Sequence, residues 1–403
     1  MRRVSGLCVV AVFACGLLVA ACAPAVLPPG SSTTTTSSIP PTTSTTVPSG
    51  LIATQVAAGN FHSCAIVVAG AVKCWGANTS GELGNGNNAN SNVPVAVSGI
   101  TGATQVAAGR SHTCAVVAGG TVKCWGNNYS GPLGNGNNIN SNVPVTVSGI
   151  TTATQVAAGT NHTCALLLDG TVKCWGRNMS GELGNGTISD YSYLPVAVSG
   201  ITGATQIAGD AQHSCALIAG GAIKCWGNNY SGQLGTGTNA DSNLPVAVTG
   251  ITGATQIVGG EYHSCALVAG GAIKCWGENN KGALGNGTFS DYSYLPVGVT
   301  GIAGATQIGI GSQNSCALGA NTAVKCWGLN VLGALGDGTN TESNVPVSVT
   351  GISGVTQIST GTNHTCALAS YGSIRCWGNN EFGQLGNRSN LNSNVPVPVV
   401  ASL

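Results

Sequence analysis

The stretch Ala103-Thr-Gln-Val-Ala-Ala-Gly-Arg-Ser-His112-Thr-Cys114-Ala-Val-Val-Ala-Gly-Gly-Thr-Val-Lys-Cys124-Trp125-Gly126 decides the fold, because near-copies of it recur along the whole chain. Its short apolar runs ATQVAAG, HTCAVV and TVKCWG are separated by Gly, Asn and Ser. With PVTV further on they predict four short strands, here lettered A to D. Strand A is built from small residues (Val106, Ala107, Ala108, Gly109), as the innermost strand of a crowded ring requires. Strand D carries Pro144, which suits an outer edge where a missing N–H is tolerated. The LGNG turns, Leu133 to Gly136 here, place Asn-Gly where the backbone needs positive φ, a structural role.

Working outward, the unit can be phased on seven cysteine pairs: Cys64 with Cys74, Cys114 with Cys124, Cys164 with Cys174, Cys215 with Cys225, Cys265 with Cys275, Cys316 with Cys326, and Cys366 with Cys376, a period of 50 or 51 residues. Fixed-period similarity of this length means a propeller, a solenoid or an array. A solenoid needs atypical end caps, and none is visible, so seven near-equal units predict a closed seven-bladed β-propeller, all-β, with about four antiparallel strands per blade over residues 51–403. Composition agrees: 62 Gly and only 6% charged residues among abundant Val, Thr and Asn.

The pattern G-x-x-H-[ST]-x-A-L…G-x-[VI]-x-x-W-G-x-N-x-x-G-x-L-G-x-G…P-x-x-V resembles the regulator of chromosome condensation repeat family, over Leu51 to Leu403. The resemblance implies the same seven-bladed fold. It also brings several roles: the family's best-known activity is nuclear guanine-nucleotide exchange on a partner GTPase, through a wedge protruding from one blade, and a secreted relative inhibits β-lactamases.

The N-terminus points away from the nucleus. Arg2 and Arg3, an apolar run from Val4 to Leu18 and then Val19-Ala20-Ala21-Cys22 have the layout of a secretory signal over residues 1–22. The last four residues resemble a bacterial lipobox, which makes Cys22 the expected lipidation site, with plain cleavage or an uncleaved anchor as alternatives. Residues 23–50 are a Pro/Ser/Thr tract with nothing to bury, expected to be a disordered stalk. The chain is therefore expected to be exported, held at the cell surface by lipid or secreted, with membrane contact only through the N-terminal anchor. The formal charge of +1 becomes −1 without Arg2 and Arg3, so no basic footprint exists for nucleic acid.

Of the 17 cysteines, Cys8, Cys15 and Cys22 fall in the signal segment, and the other fourteen can form seven disulfides, one per blade. The rival reading is a metal site built from His62, Cys64 and Cys74. The sixth unit argues against it, since it keeps Cys316 and Cys326 but has Asn314 in the His position, so the expectation is no metal and no cofactor. The six histidines (His62, His112, His162, His213, His263, His364) are expected to satisfy backbone groups at the start of strand B. The Trp after each second Cys is expected to pack between blades, and the cation before it (Lys73 to Arg375) to lay a solvated stem over the neighbouring sheet.

In an antiparallel blade the AB and CD loops emerge on one face and the BC and DA connections on the other. The BC and DA connections are near-identical between units, and the AB and CD loops vary. Phe61, Arg110 and Tyr262 lie in AB loops; Tyr129, Met179, Tyr230 and Phe382 lie in CD loops; and a SDYSYLP segment in the third and fifth units adds Tyr191, Tyr193, Tyr292 and Tyr294. These eleven residues are the candidate binding rim for an extracellular protein or glycan, unless the long CD loops fold back and bury the rings. No nucleophile–base set or carboxylate pair stands out: acids are scattered singly, and each His and its Ser/Thr neighbour point to opposite faces of one strand. The expectation is a non-enzymatic, monomeric binding module. The alternatives are a structural surface component, a guanine-nucleotide exchange factor by resemblance, or a polysaccharide-acting enzyme.

Overall fold

The computed structural model describes residues 51–209 and 211–401. The signal segment, Cys22 and the stalk lie outside the described residues. Seven four-stranded antiparallel sheets follow one another: blades 1 to 7 are residues 53–96, 103–146, 153–197, 204–247, 254–298, 305–348 and 355–398. Each sheet is ordered A-B-C-D in chain order, so every blade is one contiguous unit and no strand is exchanged at the seam between blades 7 and 1.

Blades pack face on face. The cysteine face of blade 1 (Cys64, Cys74, Ile66, Val72, Leu83) meets Val106, Ala115 and Trp125 of blade 2, and the same cluster recurs around the ring to the seam, where Cys366 and Leu368 meet Val56 and Trp75. The paired cysteines face each other across strands B and C, Cys164 opposite Cys174 for example. All seven expected disulfides are formed, one in each blade: Cys64 to Cys74, Cys114 to Cys124, Cys164 to Cys174, Cys215 to Cys225, Cys265 to Cys275, Cys316 to Cys326, and Cys366 to Cys376. Every Trp is fully buried, as expected of an inter-blade residue. Its indole N–H donates to a carbonyl in the preceding blade's CD loop, as in Trp125 Nε1 to Glu82 O at 2.8 Å. The close approach needs glycine at the loop: a Cβ on Gly84 (φ +63°) would lie 2.8 Å from the Trp125 ring.

A second ring lies at the axis. Strand A is an edge strand on its inner side, with backbone groups that need partners. One glutamine per blade supplies them. Gln105 accepts from Val156 N at 2.6 Å and donates to Val156 O at 2.9 Å, and Gln357 does the same for Val56 across the seam. All seven glutamines accept such a bond, at 2.6–3.0 Å. Gln55 and its equivalents carried no role in the sequence reading.

The outer edge is blunted by the chain itself. In strand D each serine hydroxyl donates to the carbonyl two residues on, Ser91 to Val93 O at 2.7 Å for example, and proline follows directly, Pro94 there. Two of the strand C cations reach a connection: Lys224 and Lys274 donate to Gly200 O and Gly250 O in the preceding DA connection, both at 3.2 Å.

Candidate functional site

Two polar networks hold the AB/CD face rigid. In each CD loop a buried asparagine (Asn78, Asn128, Asn178, Asn229, Asn279, Asn330, Asn380) acts as the loop's hub. Asn78 Oδ1 accepts from Leu83 N at 2.8 Å, and its amide donates to the carbonyls of Asn87 and Ala89.

The second network corrects the expectation for the histidines. Each Nε2 serves a side chain and not the backbone: it meets a Ser or Thr hydroxyl of the next blade at 2.8–2.9 Å, His62 to Thr113, His112 to Thr163, and around to His364 with Ser63, while His263 also has a backbone hydrogen bond with Ser312. The hydroxyl in turn donates to a carbonyl, as Thr113 Oγ1 does to Glu82 O at 2.9 Å. Its single proton is thereby committed, so Nε2 carries the imidazole proton and the ring is neutral. Burial pushes these imidazoles down to about 4 (His62, His263) or about 3 (His112, His162, His213, His364). Adjacent His and Ser/Thr do point to opposite faces, and for that reason each reaches a different neighbouring blade. The base–hydroxyl pairs missing within a strand exist between strands, but they are buried and spent on structure. Blade 6 breaks the ring: Asn314 is buried, and neither polar atom of its side chain has a partner.

On this frame sit the rim residues, gathered at blade borders. Tyr129 of blade 2 meets Tyr191 of blade 3 edge-on, centroids 6.2 Å apart, and Tyr191 stacks on Tyr193 at 6.3 Å. Tyr230, Tyr292 and Tyr294 repeat the bracket between blades 4 and 5. Phe61 and Phe382 form an edge-on pair across the seam, 5.7 Å apart. Tyr129 and Tyr230 are exposed by 68% and 69%, and Met179 by 46%. Tyr193 and Tyr294 behave differently: they lie against Gly131 and Gly232 of the preceding blade, in the place Asn142 takes over Gly81, and so anchor the bracket.

Arg110, Tyr129, Met179 and Tyr191 come together in one groove of about 380 Å³ between blades 2 and 3, with Ser111, Asn127, Ser130, Asn161 and Arg177 completing its wall. Arg177 went unremarked in the sequence; the available signal was its place after Trp175-Gly176, where other units carry Ala, Asn, Glu or Leu. It pairs with buried Glu182 at 2.6 Å. Burial raises the Glu182 carboxyl, while backbone N–H groups and the Arg177 charge pull it back. Tyr262 does not line this groove: its hydroxyl donates to Glu261 at 2.9 Å, and burial together with that carboxylate pushes it up to about 12, with the Arg110 charge opposing the shift.

Among the described residues no helix is long and apolar enough to cross a membrane, and no group of three or more His, Cys, Asp or Glu side chains is placed to hold a metal ion. The described architecture is that of a seven-bladed propeller with a variable loop face. The RCC1-like domain matches residues 27–354, and regulator of chromosome condensation (RCC1) repeats match residues 355–384 and 371–403. The chain belongs to the RCC1-like domain family. Human WBSCR16 is similar in fold (TM-score 0.71, 24% identity, 78% of this chain and 85% of that one). So is yeast RCC1, Prp20, in a structure bound to Kap60 (TM-score 0.71, 21% identity, 87% of this chain and 85% of that one). The ectodomain of the Physcomitrella patens receptor kinase CR4 is a more distant likeness (TM-score 0.51, 22% identity, 82% and 74%). No curated protein sequence matches the chain.

Proposed function

We propose that this chain is an exported, surface-held binding module that recognises an extracellular protein or glycan through its AB/CD face. The carrying observation is the set of aromatic clusters at three blade borders, with Tyr129 and Tyr230 largely exposed, on loops fixed by buried asparagines. The seven buried disulfides suit an oxidising compartment, and the signal-like N-terminus supplies a route to one. The fold also serves as an ectodomain in the CR4 receptor kinase, and Prp20 is captured bound to a protein, Kap60. We assign no catalytic chemistry, since the hydroxyl–imidazole pairs are sealed inside the ring.

The test is a pull-down from surface and culture-medium material with the whole chain and with a variant carrying Tyr129→Ser, Tyr191→Ser, Tyr230→Ser and Tyr292→Ser. A protein or glycan retained by the parent and lost by the variant supports the rim. Equal capture, or none, refutes it and favours a structural surface component.

A further inference from the structure

The two tyrosine brackets are copies whose flanking charges differ: the first balances Arg110 and Arg177 against Glu182 and Asp190, and the second is acidic. Tyr129, Tyr191 and Tyr193 between blades 2 and 3 correspond to Tyr230, Tyr292 and Tyr294 between blades 4 and 5, and each insert carries an aspartate, Asp190 or Asp291, directly before its first tyrosine. The wall around the rings differs. Where the first bracket has Arg110 and Arg177, the second has Ala211 and Glu278, with Glu261 beside it. The acidic side is internally occupied: Glu261 accepts from Tyr262 and Ser312, and Glu278 from Gln313 and Asn280. On the basic side Arg177 is held by Glu182, but Arg110 is exposed and makes no side-chain hydrogen bond or ion pair among the described residues, its charge acting within the protein on the Tyr262 hydroxyl.

Resting on the binding-module reading above, we propose that the groove between blades 2 and 3 takes an acidic peptide segment of a protein partner, with Arg110 receiving a carboxylate and Tyr129, Tyr191 and Met179 forming the contact floor. Arg presents a planar fork of N–H donors to a carboxylate, and a guanidinium with no hydrogen bond to its own chain keeps that fork available. A peptide is favoured over an acidic sugar by the wall itself: Tyr, Met and Arg are the residues enriched at the centre of protein–protein interfaces, and Met179 offers a deformable apolar contact that a polyhydroxyl ring does not need. A volume of about 380 Å³ accommodates a few residues. The exposed Arg110 of the first bracket, against the carboxylates of the second, makes the two selective for different segments although their aromatic frames match.

The experiment uses the whole chain with fluorescein-labelled octaglutamate, octaglutamine and an octamer of galacturonate, read by fluorescence anisotropy at low and moderate salt. Octaglutamate is expected to bind at least tenfold more tightly than octaglutamine and to weaken with salt. Arg110→Gln is expected to reduce octaglutamate affinity at least fivefold, and Lys224→Gln, a strand C residue whose ammonium bonds the DA connection on the opposite side, to change it less than twofold. Failure of octaglutamate to bind, equal binding of octaglutamate and octaglutamine, or indifference to Arg110→Gln overturns the assignment. Tighter, Arg110-dependent binding of the galacturonate octamer overturns it in favour of an acidic glycan. If partner capture still depends on the tyrosines in those cases, the charge assignment alone falls; if capture is indifferent to the tyrosines, the rim reading falls with it.

Discussion

Asn314→His should stabilise the propeller, an unusual expectation for a substitution at a buried position. Six blades carry an imidazole whose Nε2 donates to the next blade's hydroxyl at 2.8–2.9 Å. In blade 6 the shorter amide of Asn314 leaves both its oxygen and its nitrogen without a partner, while the Thr365 hydroxyl it should serve meets only the Cys316 sulfur at 3.9 Å. A buried unsatisfied polar group costs about 1–3 kcal/mol, and a new hydrogen bond contributes about 1 kcal/mol. The imidazole keeps one bare nitrogen, Nδ1, as His62, His162 and His364 do, so the net gain is put at about 1–3 kcal/mol. For a domain of roughly 350 residues, unfolding entropy near 2 cal/mol/K per residue converts this to a rise in Tm of about 1–4 °C. Room for the ring is shown by the sister blades, where Gly59 and Gly361 lie against His62 and His364 as Gly311 lies against Asn314. The assay is equilibrium guanidinium unfolding and calorimetry at pH 7.5 with disulfides intact, beside His112→Asn as the reverse change. If Asn314→His is neutral or destabilising while His112→Asn costs less than about 0.5 kcal/mol, the imidazole–hydroxyl ring does not hold the blades together.

The same imidazoles predict acid sensitivity. Their folded values of about 3–4 lie below the unfolded 6.5, so their neutral forms give full stability above pH 6.5, and each loses up to about 1.4 kcal/mol per pH unit as pH falls from there toward 3–4; a urea midpoint that holds flat from pH 7 to 4.5 would contradict this. Gln105→Ala leaves the Val156 N–H and C=O of the inner edge unpaired and should cost about 1–3 kcal/mol in denaturant unfolding. Gly131→Ala should destabilise through both its φ of +81° and contact with Tyr193, so adding Tyr193→Ala should recover only part of the loss, read as a Tm difference. Replacing Cys164 and Cys174 together by Ala should cost about 2–3 kcal/mol and leave rim binding intact.

Much of this was legible in the chain because a repeat reports itself seven times. The spacing of Cys114 and Cys124, the small residues of strand A and Pro144 in strand D placed the disulfides, the axis and the outer edge. What escaped notice are contacts that join one repeat to the next. Gln105 looks like an ordinary polar residue on a strand until Val156, 51 residues away, is set beside it, and His112 looks like a residue serving its own hairpin until Thr163 arrives from the next blade. Spacing within a unit carries no information about such partners, because the register between sheets is set by packing of Trp against the cysteine face. The rim was half legible. The variable loops pointed to Arg110, Tyr129, Met179 and Tyr191, which share a groove, but not to Arg177 in the same wall, nor to the anchoring task of Tyr193 and Tyr294.

The seam between blades 7 and 1 uses the same three kinds of bond as five of the other six borders, the border between blades 6 and 7 lacking the imidazole–hydroxyl one: Gln357 with Val56, His364 with Ser63, and Trp75 with Gln384. With no strand shared between first and last units, a blade is a self-contained heritable part. Copying or replacing one changes the loops at two adjacent borders and leaves the glutamine and tryptophan joints, present at all seven borders, chemically the same. The paired tyrosine brackets, alike in frame and different in flanking charge, are what such cassette-wise inheritance yields: one scaffold carrying two separately adjustable loop sets.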